Sequence, residues 1–186
     1  MGMPVQQTEW TAEKARALPD DGKRYEVLDG ELFVTPAPSW DHQSVVERLY
    51  LLLAPHVETH GLGWARLSPA DIEFSPRRLV QPDLFVVPAS EGGRPRGWSD
   101  VQSLLLAVEV LSLTTARADR LRKRVIYQSQ HVPEYWIVDA DARVVERWRP
   151  DDERPEIVTD ALRWQPRSDI APLEIDLVAF FAAALA

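Results

Sequence analysis

The spacing of apolar positions changes several times along this chain, and each change marks an element. Thr8 to Leu18 reads as a short helix, with Thr8 or Thr11 as its cap and Pro19-Asp20-Asp21-Gly22 as its stop. Arg24 to Val34 is β-prone but interrupted by Asp29-Gly30, a pair suited to the positive φ of a tight hairpin turn. Pro36-Ala37-Pro38 ends the hairpin and leaves Ser39 to cap the next helix. There Val45, Val46, Leu49, Leu52, Leu53 and Val57 recur at helical spacing as far as Gly61. Pro55 inside that pattern predicts a kink or an early end.

From Trp64 the texture becomes strand-like, with Asp71 to Phe74 and Leu79 to Val87 as the clearest runs. Glu91 to Ser99 is rich in Gly, Pro and Arg and reads as a loop. Leu104 to Leu111 is continuously apolar, as expected of a strand buried on both faces. A helix follows, capped by Thr114 or Thr115 and running to about Gln130, with Ala118, Leu121 and Val125 on its apolar face. Glu134 to Asp139 is a strand that pairs with Val144 to Trp148 across Asp141-Ala142. The strand–helix–strand order between Leu104 and Val138 calls for two parallel strands with a right-handed crossover. Leu173 to Leu185 reads as a closing apolar helix. Without repeat or linker, the pattern is that of one α/β domain spanning 1–186.

Composition narrows the function. With 186 residues, 45% apolar and 27% charged, the chain suits one globular domain. Having no cysteine, it has no disulfide, no thiolate metal site and no cysteine nucleophile. That usage fits a reducing, cytoplasmic setting. No apolar run approaches the ~18 residues of a membrane span, and Met1 to Thr11 does not have the layout of a secretory signal. The net charge of −8 argues against a general nucleic-acid coat, yet it is unevenly spread. Arg77 to His131 carries nine Lys/Arg against five Asp/Glu, a local excess of +4 that could meet phosphate, although a solvated helix face plus loop arginines is the simpler explanation.

No phosphate-cradling glycine loop, His-Glu-x-x-His or Gly-x-Ser-x-Gly motif is present. His56 and His60 have a chelating spacing but lack a third ligand nearby, and they suit a helix C-terminus equally well. His42, near a helix start, is similarly ambiguous. The informative residues are acids embedded in apolar strands. Asp83 follows Pro82 within Leu79 to Val87, and Glu109 sits in the most hydrophobic run of the chain. Burying an ionised carboxylate costs several kcal/mol unless it is compensated. Two in adjacent strands would repel, so a neutral amide at either should relieve the strain. A hard divalent cation, Mg²⁺ or Mn²⁺, would also resolve the conflict. A strand-end carboxylate reaching water is the alternative for each acid alone. Lys123, the only lysine after Lys23, could place an ammonium beside a reacting phosphate. By pattern alone, an exposed i,i+4 pairing with Asp119 is the simpler reading.

Six segments occur in order: Arg-Tyr-Glu-Val-Leu-Asp-Gly-Glu-Leu (24–32), Pro-Ala-Pro-Ser-x-x-His (36–42), Val-Gln-Pro-Asp-Leu (80–84), Glu-Val-Leu-Ser (109–112), Asp-x-x-x-Lys (119–123) and Val-Pro-Glu-Tyr-Trp-Ile-Val-Asp (132–139). Together they resemble the Uma-type endonuclease family of the PD-(D/E)XK, or restriction-endonuclease-like, superfamily, over about residues 8–180. The resemblance implies a restriction-endonuclease-like core, a mixed central β-sheet flanked by helices. Asp83 and Glu109 would bind Mg²⁺ or Mn²⁺. Leu111 stands where the superfamily's Glu-x-Lys has its lysine, and Lys123 would supply that ammonium from the following helix. Glu26 would correspond to an upstream acid that completes the metal shell or holds Lys123. Leu113 replaces a proline common in the family's Ser-Pro-Ser-Thr-like turn. The expected activity is DNA phosphodiester hydrolysis, with Arg117, Arg120, Arg122 and Arg124 contacting flanking phosphates. A cutter of both strands needs two sites, which a homodimer would supply. A catalytically silent nuclease-like module that binds nucleic acid or a protein is the alternative.

Overall fold

A computed structural model describes residues 9–112 and 114–186; Thr8 and Leu113 lie outside the described residues. Helix α1 (Ala12–Arg16) is shorter than its sequence pattern, and the Thr11 hydroxyl caps it by accepting from the Lys14 N–H. Strands β1 (Arg24–Leu28) and β2 (Glu31–Thr35) form the expected hairpin. Asp29 and Gly30, at φ 53° and 89°, take the paired left-handed conformation that such a turn demands.

Ser39 caps α2 (Trp40–Thr59) through the His42 N–H. Contrary to the kink or early stop expected, this helix runs on through Pro55. Leu51, whose carbonyl Pro55 leaves without its helical partner, lies on the exposed side, where water can replace the lost bond.

Two further strand pairs follow from β3 (Gly63–Leu67), β4 (Ile72–Ser75), β5 (Arg78–Val80) and β6 (Leu84–Pro88). The stretch Leu79 to Val87, expected as one strand, is split between β5 and β6. Pro82 has no N–H to give a ladder, and at Gln81-Pro82-Asp83 the chain leaves one sheet for the other. The fully buried β7 (Leu106–Val110) matches expectation. The helix after it is built of α3 (Ala116–Ala118), a π turn (Asp119–Lys123) and α4 (Arg124–Ser129). Thr115 stands at its start without a capping bond and instead exchanges hydrogen bonds with Ser112.

Strands β8 (Glu134–Asp139) and β9 (Val144–Trp148) pair antiparallel, and β7 pairs with β8 in parallel, as read from the βαβ order. The chain ends with β10 (Glu156–Val158), β11 (Ala161–Trp164), β12 (Leu173–Asp176) and α5 (Leu177–Ala184). The expected helix from Leu173 therefore starts later. Its first four residues pair with β11, and Asp176 caps α5 by accepting from the Ala179 N–H.

A six-stranded mixed sheet, β10-β9-β8-β7-β6-β3, faces a four-stranded sheet, β2-β1-β5-β4, with β11-β12 as a separate ribbon. Helices α2 and α5 cover one face of the larger sheet, burying Leu49, Leu53 and Phe181 with Val86, Val108 and Trp136. On its other face, Phe85, Ala107 and Ile137 pack with Leu28, Ile72 and Val80 of the smaller sheet and with Ile126 and Tyr127 of α4. Helix α1 closes the far side of the smaller sheet over Val27 and Leu79. This is the mixed sheet flanked by helices that the sequence implies. Among the described residues, no helix is long and apolar enough to cross a membrane.

Candidate active site

The polar cluster lies where the two sheets and the π turn meet. Leu84 pairs with Val108, so Asp83, one residue before β6, comes beside Glu109. Strand alternation turns Glu109, like Ala107, away from α2 and toward the smaller sheet. Strand β1 brings Glu26 to the same place.

In the π turn the Arg124 N–H donates to the Asp119 carbonyl five residues back. This wider turn presents both Asp119 and Lys123 inward. The face expected to be apolar is largely outside: Ala118 is buried, but Leu121 and Val125 are 55% and 41% exposed. The inward side of this helix meets carboxylates, so its buried positions are polar.

Lys123 is 2% exposed. Its Nζ lies 2.9 Å from Glu26 Oε1, 3.0 Å from Glu109 Oε1 and 3.5 Å from Asp119 Oδ1. Burial opposes its charge, but Glu109, Glu26 and Asp119 hold its pKa well above the ordinary lysine value. The i,i+4 relation to Asp119 therefore exists, buried rather than solvated. Glu109 Oε1 also accepts from the Tyr127 hydroxyl at 3.1 Å. Burial raises the Glu109 pKa well above the usual range; Lys123 opposes this, while Asp83 and Asp119 add to it. Burial likewise lifts Asp119 to about 6 despite Lys123.

Asp83 differs. Its Oδ1 accepts from Arg24 Nη1 at 2.6 Å, and its Oδ2 accepts from the Val110 N–H at 2.9 Å and contacts His42 Nε2 at 3.0 Å. Burial would raise its pKa, but His42, Arg24 and Lys123 outweigh that and bring it to about 2.

A cavity of about 400 Å³ opens onto Arg24, His42, Asp83, Glu109 and Lys123. Glu26 and Asp119 do not line it; they stand behind Lys123. Among the described residues, no three His, Cys, Asp or Glu side chains gather as a metal-binding group. Four carboxylates line it, all hard oxygen donors: the buried Asp83 and Glu109, and the exposed Asp41 and Asp141. The hydrogen bonds described for Glu109 all fall on Oε1, and Asp83 retains about one of its four lone-pair sites.

The structure thus gathers Glu26, Asp83, Glu109 and Lys123. It spreads the four arginines outward. Arg117 is exposed. Arg120 is paired with Asp139 and Glu146, Arg122 with Glu31, and Arg124 lies over the Trp148 ring at 4.8 Å. His56 and His60 stack at 4.3 Å between ring centroids, and the His56 carbonyl contacts His60 Nδ1. Arg24, Tyr127 and the role of His42 were missed from sequence. Their available signals were period-two spacing of Arg24 from Glu26, four-residue spacing of Tyr127 from Lys123, and the proximity of His42 to a capping serine.

The family Uma2, described as "Putative restriction endonuclease", matches residues 12–178. A solved structure from Anabaena variabilis ATCC 29413, described as "a putative nuclease belonging to DUF820", shares the fold with a TM-score of 0.73. Its identity is 16%, and the match covers 94% of this chain and 98% of that one. No curated protein matches.

Proposed function

This chain belongs to the Uma2 family, and from that membership we propose that it is a divalent-metal-dependent endonuclease hydrolysing phosphodiester bonds in DNA. The observation that carries the reading is the buried ammonium of Lys123, held by Glu26 and Glu109 beside Asp83 on an open cavity. Desolvating an ammonium costs several kcal/mol, and a core position with no chemical task is better filled by an apolar side chain.

The donor set fits Mg²⁺ or Mn²⁺ held by Asp83 and Glu109. Mg²⁺ typically takes one or two carboxylates and leaves its other positions to water and phosphate, so a third protein acid is not required. When bound, such an ion polarises a phosphoryl oxygen and makes a water more acidic. Lys123 orients the attacking water and offsets the charge that grows on the phosphoryl oxygens. Glu26 and Asp119, behind it, keep the ammonium charged and aimed at the cavity. Arg24, His42 and the Val110 N–H fix the rotamer of Asp83. Arg117, exposed and near the cavity-side start of the helix, is the best placed of the four helix arginines for a flanking phosphate.

The engagement of Asp83 by Arg24 and His42 favours a second reading, a module that binds nucleic acid without cutting it. Incubating the purified protein with supercoiled plasmid and with single-stranded DNA, in Mn²⁺, Mg²⁺ or EDTA, separates the two. Cleavage only with metal supports the nuclease; binding without cleavage under every condition supports the silent module.

A further inference from the structure

We propose that the cleft between β3 and the Glu91–Ser99 loop binds a nucleotide, its base against tryptophan and its phosphate on arginine. This cleft is separate from the carboxylate cavity. It encloses about 280 Å³ and is lined by Trp64, Arg66, Arg94, Arg96 and Trp98, with Val87 and Val101 at its base. That volume lies near the lower end of small-ligand pockets, ~300 Å³, and suits one compact ligand.

Its charge is the first argument. Three guanidinium groups share the cleft and no carboxylate lines it, although the chain has 29 acidic residues for 21 basic ones. Among the described residues, the side-chain bond these arginines make is from Arg66 Nη1 to the Ala65 carbonyl, which leaves their charges unneutralised. The two acids nearest in sequence, Glu91 and Asp100, do not line the cleft, and Asp100 instead accepts from the Arg96 backbone N–H and thereby shapes the loop. Like charges held together without a counterion repel, and a phosphate relieves that repulsion with the planar, forked geometry guanidinium prefers.

The aromatic component is the second argument. Trp98 rests edge-on against the buried Phe85, with ring centroids 6.0 Å apart, yet is 40% exposed. Ring surface is therefore free for a base to stack on. A bare phosphate would have no use for it; a nucleotide uses both features. On β6, alternation puts Asp83, Phe85 and Val87 on one face, so the cleft lies about 13 Å along the strand from the carboxylate pair. A nucleotide of a bound strand and a free mononucleotide have the same recognisable parts.

Binding is measured in EDTA, so the outcome does not depend on cleavage. Tryptophan fluorescence follows titration with deoxyadenosine 5′-monophosphate, deoxyadenosine and inorganic phosphate; anisotropy follows a labelled single-stranded oligonucleotide. The mononucleotide should bind more tightly than either of its parts. Combined Arg94→Ala and Arg96→Ala substitution should weaken binding about tenfold without changing the melting temperature, because both residues are exposed. Trp98→Ala should reduce the mononucleotide to the affinity of phosphate, and Trp98→Phe should restore the difference. Competition between mononucleotide and oligonucleotide, or an effect of the arginine substitutions on the oligonucleotide alone, assigns the pocket to a bound strand. Mononucleotide binding without competition assigns it to free nucleotide. If the arginine substitutions alter neither probe's affinity, the pocket assignment is wrong.

Discussion

The ammonium of Lys123 lies 2.9 Å from Oε1 of Glu26, a residue of the other sheet. The same oxygen accepts from the Gln81 N–H at 2.8 Å. Glu26 therefore anchors two things together: the lysine that lines the cavity, and the crossover whose next residues are Pro82 and Asp83. This coupling explains how an acid that does not line the cavity governs its geometry.

Lys123→Met should cost about 3–5 kcal/mol of stability at pH 7.5, because it leaves buried carboxylates without their cation. The loss should shrink toward pH 5 as those groups take up protons. Urea unfolding at the two pH values measures it. A solvated Asp119–Lys123 pair would give about 0–1 kcal/mol at either.

Asp83 and Glu109 should respond with opposite signs when made neutral, although repulsion between them would suggest equal relief. Asp83, held at about 2 against an ordinary 3.8, contributes stability that is present above pH 3.8 and lost as pH falls through 2. Asp83→Asn should therefore cost about 2 kcal/mol near neutrality. Glu109 is raised, so its ionised form opposes folding as pH climbs past 4.5. Glu109→Gln should raise the metal-free melting temperature at pH 8.

Asp119 supplies a pH signature of its own. Its folded pKa of about 6 exceeds the ordinary 3.8, so the fold binds a proton between those values and loses stability as pH rises through them. Neither of its carboxylate oxygens has a hydrogen-bond partner among the described residues. Asp119→Asn should be more stable than wild type at pH 8 and equal to it below pH 3.8. Thermal melts across that range check the crossing.

The hairpin, the parallel β7–β8 pair and the Ser39 cap were legible because each depends on local chemistry: a turn that needs positive φ, an apolar run, a hydroxyl before a helix. The acids Asp83 and Glu109 stood out because carboxylates interrupt apolar strands. The split of Leu79 to Val87 was masked because the apolar runs Leu79-Val80 and Leu84 to Val87 flank Gln81-Pro82-Asp83 closely enough to read as one strand, although Pro82 marks the break. The π turn had no clue at all in hydrophobic period. Leu121 and Val125 point outward because the inward positions are fixed by charge contacts with β1 and β7, which are long-range in sequence. Arg24 and His42 look like ordinary polar residues until β6 brings Asp83 between them.

In the proposed mechanism, Asp83 and Glu109 form a metal-dependent cleavage site. Calorimetric Mn²⁺ titration of wild type, Asp83→Asn and Glu109→Gln, each paired with a plasmid-nicking assay, tests it most directly. Wild type should bind Mn²⁺ and nick DNA, and either substitution should remove both properties. Unchanged Mn²⁺ binding in both variants, or nicking by wild type in EDTA, would contradict it.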